Sequence, residues 1–288
     1  MHLDIIDGRW FCMTNGLSES VPEPLQSFDG LRPALDEVLQ EIDALQAEYR
    51  SRLTTGRILP NVLEAVRIEL TYHSNAIEGN TLTLRETQQV IEGRTPGGDR
   101  LLCEVYEARN HDRAVRLIET RAADQPESAM IESDLLSVHA QMLADIDVNA
   151  AGRFRSERVL IAGTGFVPPA RHRFDLLMPA MLRLANRPSV HPVLQAAELH
   201  YNLVAIHPFM DGNGRTARLM MNLHLRRHGY PYAIIRVTER SAYLAALDEA
   251  NRGRIEPFAR LIAESLKRSM EHVMGSEGRS EEGRKCAT

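Results

Sequence analysis

Twelve consecutive residues, His207-Pro208-Phe209-Met210-Asp211-Gly212-Asn213-Gly214-Arg215-Thr216-Ala217-Arg218, gather a base, a carboxylate, an amide, two glycines and two guanidinium groups. An imidazole accepts a proton from a hydroxyl near neutral pH, so His207 is a candidate general base. Asp211 is the only carboxylate in the run and offers the hard oxygen that a divalent cation prefers. Gly212 and Gly214 let a phosphate approach the backbone, and Asn213 can donate to a non-bridging oxygen. Arg215 and Arg218 carry the forked donors that phosphate oxygens favour. These groups together suit transfer chemistry at phosphorus.

The flanking segments say how such a loop would be held. Val193 to Ile206 before it and Leu219 to Leu225 after it are apolar at helical spacing, so the run ends one helix and opens another. The start of the second helix presents unpaired N–H groups and the positive end of a dipole, which favours an anion. Arg215 and Arg218 project from one face of its first turns, opposing the dipole and repelling each other by roughly 0.2–0.5 kcal/mol. An anion between them would remove that conflict. His200 is expected to pack beneath the site, and Pro208 and Phe209 to pack the loop.

Elsewhere the chain reads as mainly α. Residues 1–30 hold Gly8, Gly16, Pro22, Pro24 and Gly30 without periodicity and are expected to form an irregular arm. Helical spacing begins near Leu31, with Leu35, Val38, Leu39, Ile42 and Leu45 on one face. A second helix should run from Pro60 to Ile77 on a stripe of Leu63, Val66, Leu70 and Ile77, stopped by Gly79. Thr83-Leu84-Arg85-Glu86 has the pattern of a capping box. Further helices are predicted at about 101–121, 131–146, 173–186, 192–206, 214–228, 240–252 and 256–273. Only Val159 to Val167 is patterned as strand, with Gly163-Thr164-Gly165 folding it into a small hairpin. The tail 275–288 is small and charged and is expected to be disordered.

A formal net charge of −5 argues against nucleic acid as a partner, which usually needs a basic stripe. Three scattered cysteines make neither a disulfide framework nor a zinc site and suit a reducing compartment. No apolar run approaches the ~20 residues of a membrane span, so the expectation is a cytoplasmic protein with no membrane partner.

The run from His207 to Arg218 resembles the signature of the Fic family, His-x-Phe-x-Asp/Glu-Gly-Asn-Gly-Arg-x-x-Arg, at every specified position. Ser74-Asn75-Ala76-Ile77-Glu78-Gly79-Asn80 resembles that family's inhibitory motif, Ser/Thr-x-x-x-Glu-Gly/Asn, placed before the catalytic core. Gly165-Phe166-Val167-Pro168-Pro169-Ala170 is similar to its substrate-docking flap, so the likeness covers roughly residues 60 to 274. The resemblance implies a Fic-type helical bundle with one small β-hairpin as flap. The Fic domain would then span 31–274, with an inhibitory helix at about 60–79 and a catalytic core at about 100–274.

It also implies a protein adenylyltransferase. His207 would deprotonate a target Ser, Thr or Tyr hydroxyl, which attacks the α-phosphate of ATP, with Asn213 assisting the transition state. Asp211 would hold Mg²⁺, with Mn²⁺ as a substitute, and Gly212, Asn213 and Gly214 would cradle phosphate. Arg215 and Arg218 would take the β- and γ-phosphates. Tyr243 and Asn251 are candidates to line the adenine pocket, with core packing the alternative. The inhibitory motif, from Ser74 to Glu78 and Gly79, would pair Glu78 with Arg218 and block the γ-phosphate seat. The related Doc toxins carry Lys in the corresponding loop and transfer the γ-phosphate, whereas Gly214 followed by Arg215 points to AMP transfer. The target would dock along 159–169, and family habit implies a homodimer. Two alternatives stay open: a de-AMPylase of the same target, and a catalytically weak nucleotide-sensing module. The intact His207, Asp211 and Arg218 weigh against the second.

Overall fold

The computed structural model describes residues 5–6, 9–14, 17–97, 101–161 and 164–275, and only the backbone of those before residue 21. It opens with an antiparallel meander in the order β1 (Ile5–Ile6), β2 (Arg9–Thr14) and β3 (Leu17–Ser20). This corrects the expectation of an irregular arm. Ile6 pairs with Arg9 and Thr14 with Leu17. The dipeptides between those pairs are Asp7-Gly8 and Asn15-Gly16, the two sequences most suited to tight hairpin turns. Aromatic residues in β2 add strand propensity.

Ten α-helices follow among the described residues: α1 (Arg32–Thr54), α2 (Pro60–Ile77), α3 (Leu84–Ile91), α4 (Leu102–Asp124), α5 (Glu132–Leu143), α6 (Phe174–Ala185), α7 (Pro192–Ile206), α8 (Asn213–Arg227), α9 (Arg240–Asn251) and α10 (Glu256–Gly275). The mainly helical fold expected from periodicity is present. The stripe Leu35, Val38, Leu39 and Ile42 of α1 is buried against α10. Thr83 and Glu86 form the reciprocal capping box at the start of α3. No described helix is long and apolar enough to cross a membrane. The expected disordered tail lies outside the described residues except for Gly275, which ends α10.

The centre of the bundle is the α7–α8 hairpin, in which almost every residue of both helices is buried. Buried polar groups must find partners, and on α7 they pin the segment leading into α1. Glu198 accepts from Phe28 N at 2.6 Å and Arg187 Nη2 at 2.7 Å. Asn202 exchanges two bonds with the Gln26 backbone, at 2.8 and 3.0 Å. At the far end of α8, fully buried Arg227 donates to Asp134 Oδ2 at 2.9 Å and Ala129 O at 3.1 Å, fixing the start of α5. That leaves the other end of α8 as the place where the hairpin can do chemistry.

The expected hairpin at 159–167 is not seen: its described residues carry no ladder, and Gly163 lies outside them. Pro168 and Pro169, just beyond it, have no N–H with which to extend a ladder. Both ends of the segment are instead tied to one side chain, Arg155, which donates to Glu157 O and Pro169 O at 2.6 Å each. Midway, Thr164 Oγ1 donates to Asp248 at 2.9 Å and accepts from Phe166 N at 3.2 Å.

Candidate active site

His207 caps the C-terminus of α7 in the left-handed region, at φ 51° and ψ 59°. A side chain there costs on the order of 1 kcal/mol and persists only where the surroundings dictate it. Here they do. His207 N donates to Leu203 O at 2.9 Å, and Arg155 donates through Nε to His207 O at 2.7 Å and through its backbone N to Pro208 O at 2.9 Å. Buried Phe209 lies flat on the His139 ring, 3.6 Å between centroids and 5° between planes. Asn213 clamps the same residue twice, accepting from Phe209 N and donating to Phe209 O at 2.9 Å each. That use leaves one amide N–H of Asn213 for a ligand. Gly212, at φ 74°, then turns the chain into α8.

The tautomers of two histidines follow from their partners. Gly152 N donates to His139 Nδ1 at 3.0 Å, so Nε2 carries the proton that reaches Asp211 O at 3.1 Å. Burial lowers the His139 pKa to about 4, consistent with a neutral ring. His207 Nδ1 lies 3.3 Å from Val204 O. A carbonyl only accepts, so Nδ1 holds the proton and Nε2 keeps a lone pair. Burial lowers the His207 pKa below 6.5; Arg155 pulls the same way, against the Val204 carbonyl and the Glu78 and Asp211 carboxylates. The base is thus in its free form at neutral pH.

The two motif arginines are buried side by side, and each has found carboxylate oxygens. Arg215 donates through Nη1 to Glu107 Oε1 at 2.9 Å and through Nη2 to Asp211 Oδ2 at 3.2 Å. Arg218 donates through Nε to Ser74 Oγ at 3.0 Å, and through Nη2 to Ser74 O at 2.8 Å and Glu78 Oε1 at 2.7 Å. The pairing expected of Glu78 and Arg218 is therefore present. Glu78 caps the C-terminus of α2, where the dipole disfavours a carboxylate. Its side chain escapes by reaching the positive end of α8. A methyl group built on Gly214 would overlap the Glu78 carboxylate and stand 3.2 Å from Arg218 Nη1. Gly79, at φ 103°, turns the chain away directly behind it. Asn80 Nδ2 then donates to the second oxygen of Glu107 at 2.9 Å, so α4 links the end of α2 to Arg215.

Asp211 is 69% exposed at the mouth of this cluster, with Oδ1 accepting from Gly212 N at 2.6 Å. Among the described residues no group of three or more His, Cys, Asp or Glu could hold a metal ion. One exposed carboxylate nevertheless fits a magnesium ion that takes most of its oxygens from phosphate and water.

Tyr243 and Asn251, the candidates for an adenine pocket, both have partners on α7. Tyr243 is buried, its hydroxyl 3.2 Å from His200 Nε2 and its ring beside His200 and Phe258. Asn251 accepts from Tyr201 OH at 3.2 Å. Through these contacts both residues join α9 to α7. His200 is fully buried, as expected of a residue beneath the site. Sequence reasoning missed His139, Arg155 and Glu107, whose roles rest on bonds to distant backbone and side chains that no local pattern announces.

The sequence model of the Fic/DOC family matches residues 129–225. The chain is 35% identical over 243 residues to "Protein adenylyltransferase Fic" of Nematostella vectensis, covering 83% of this chain and 56% of that protein. It is 39% identical over 203 residues to the protein of the same name from Drosophila virilis, covering 69% of this chain and 41% of that one. The chain thus spans about half the length of the curated relatives it matches. Among solved structures, Fic-1 from C. elegans superposes with a TM-score of 0.74 at 30% identity, over 87% of this chain and 75% of that one. A Fic family protein from Desulfovibrio desulfuricans G20 gives 0.75 at 27% identity, over 88% and 77%.

Proposed function

The chain belongs to the Fic/DOC family, and from that premise we propose that it moves AMP from ATP onto a Ser, Thr or Tyr hydroxyl of a target protein, restrained by Glu78. One observation carries this reading. A carboxylate already sits where a phosphate would, at the first turn of α8, beside two arginines and next to a loop that presents a neutral base.

The target hydroxyl would give its proton to His207 Nε2 while its oxygen bonds to the α-phosphorus. The bond from that phosphorus to the β-phosphate oxygen breaks, and pyrophosphate leaves. A base held neutral by burial is ready at pH 7 without first losing a proton. The unpaired N–H groups opening α8 would meet the charge that grows on the phosphate oxygens, aided by the spare N–H of Asn213. Arg215 would hold the β-phosphate. Asp211 would hold Mg²⁺ or Mn²⁺, which supplies charge neutralisation to the triphosphate.

Glu78 would hold the γ-phosphate seat at Arg218 until nucleotide displaces it. Its side chain is 39% exposed, so the ion pair is screened by solvent and open to exchange with a more highly charged phosphate. The target would lie along 159–169, where Leu160 and Val167 are 83% and 66% exposed. The same exposed carboxylate favours a second reading, in which Glu78 orients a water that removes AMP from the modified target.

Self-labelling with α-labelled and γ-labelled ATP tests the assignment. We expect faint α-label on the wild type, strong α-label on Glu78→Gly, and none on Glu78→Gly with Arg218→Ala. Absence of α-label on Glu78→Gly and on added lysate proteins would defeat the transferase reading. Release of AMP from pre-modified protein by the wild type would favour the reverse reaction.

A further inference from the structure

Arg155 lies outside both motifs, in the segment between α5 and the flap, and its guanidinium is buried. Its hydrogen bonds go to three carbonyls from three places in the chain. Nε donates to His207 O at 2.7 Å, Nη1 to Glu157 O at 2.6 Å and Nη2 to Pro169 O at 2.6 Å. The backbone of the same residue holds Pro208 O, and the guanidinium lies over the Phe174 ring, 5.0 Å from its centroid. These bonds are short for N–H···O contacts, as befits a charged donor. The planar fork fixes all three directions at once, which a lysine cannot do.

We propose that Arg155 is a positioning residue that ties both ends of the flap to the main chain of His207, so that a peptide seated on the flap meets the base at a fixed distance. The described residues of the flap carry no ladder, so its ends at Glu157 and Pro169, with the Thr164 bond to Asp248 midway, set where it stands. Both ends share one side chain with the base. A shift of either end is therefore transmitted to the His207 carbonyl, and the left-handed conformation of His207 leaves that residue little slack. The kinetic part of this inference rests on the transferase reading; the mechanical part does not.

The test uses the full chain carrying Glu78→Gly, with Arg155→Lys, Arg155→Gln or Phe174→Leu added. Without nucleotide, amide exchange at Phe166 in the flap and at His207 and Phe209 in the loop, whose N–H groups are hydrogen-bonded, should quicken together, by about tenfold or more for Arg155→Lys and by less for Phe174→Leu, while α1 and α10 stay protected. Loosening of one segment alone, or of neither, would overturn the proposal. With target present, kcat/KM for the target should fall by about tenfold or more, since misplacement near 1 Å costs as much, while the Kd for ATP moves less than about twofold. Equal losses in both quantities would show a merely structural arginine and also overturn it. If Arg155→Lys unfolds, Phe174→Leu decides by the same joint exchange. A parent without AMP transfer would sink the functional reading, and the exchange result would still decide this one.

Discussion

The loop from His207 to Gly212 and the flap from Glu157 to Pro169 meet at one side chain, yet they are held in opposite ways. In the loop, the backbone of His207, Pro208, Phe209 and Asp211 is caught by Arg155, Asn213 and His139, and Phe209 is stacked and buried. In the flap the ends are tied, Thr164 reaches Asp248 midway, the described residues carry no ladder, and two large apolar side chains stand in solvent. The difference follows from what each would do. A base must be placed to within a fraction of an ångström before the reaction, so its supports are made in advance. A strip that receives a peptide completes its hydrogen bonds with the partner's backbone and needs only to be located.

The largest effect should come from the loop's one reactive atom. His207→Ala is expected to lower AMP transfer by roughly 10²–10⁴-fold, with ATP affinity by calorimetry nearly unchanged. A matching loss of affinity would make His207 a support like its neighbours.

Next comes the clamp. Asn213→Ala leaves Phe209 N–H and C=O buried and unpaired, and should cost about 2–4 kcal/mol in denaturant unfolding. A cost below about 1 kcal/mol would show that the loop is not over-determined.

Acid should find the loop before the flap. On the proposed mechanism His207 would work as the free base, and burial lowers its pKa, so the rate–pH profile should stay level through 6.5 and fall only at lower pH. For stability the sign is the same. His139 and His200 are neutral in the fold, with pKa lowered by burial to about 4 and about 3. The unfolded chain takes up those protons near 6.5, so stability is full above that value. It is lost toward pH 4 and 3, at roughly 1.4 kcal/mol per pH unit for each histidine. Glu198, raised by burial to about 7, opposes this between 4.5 and 7, because there the folded state holds the extra proton. His73, His111 and His224, lowered likewise by burial, add to the histidine side, so the melting temperature should fall steadily from pH 6.5 to 4.5 and more steeply below. A flat curve to pH 4 would contradict the neutral assignment of His139.

The smallest effect belongs to the flap. Leu160→Ser and Val167→Ser should change unfolding free energy by no more than about 0.5 kcal/mol while raising KM for a target protein. A stability loss comparable to that of Asn213→Ala would erase the contrast between the two regions.

What could be read beforehand divides along similar lines. The helices, the capping box at Thr83 and the loop at 207–218 announce themselves by local spacing. The Glu78–Arg218 pair came from the resemblance of two short motifs, since nothing local joins residues so distant in sequence. Residues 1–30 show no periodicity because the paired strands there are only two to six residues long. Val159 to Val167 is patterned as strand about Gly163-Thr164-Gly165, yet its described residues carry no ladder. His139 and Arg155 stayed invisible for a general reason: a bond to a main-chain carbonyl makes no demand on the residue type that supplies the carbonyl. Tyr243 faces the core because its hydroxyl finds His200.

Gly214 carries a consequence for chains beyond this one. Glycine inside a helix forgoes about 1 kcal/mol of helix propensity relative to alanine. Here the volume of the missing side chain holds the carboxylate of Glu78. A side chain at 214 would crowd the Glu78 carboxylate, which must then shift on its flexible side chain. The same crowding would meet a larger residue here in any chain that brings a carboxylate to this turn. In this protein the seat can be emptied from either side, by shortening Glu78 or by lengthening Gly214.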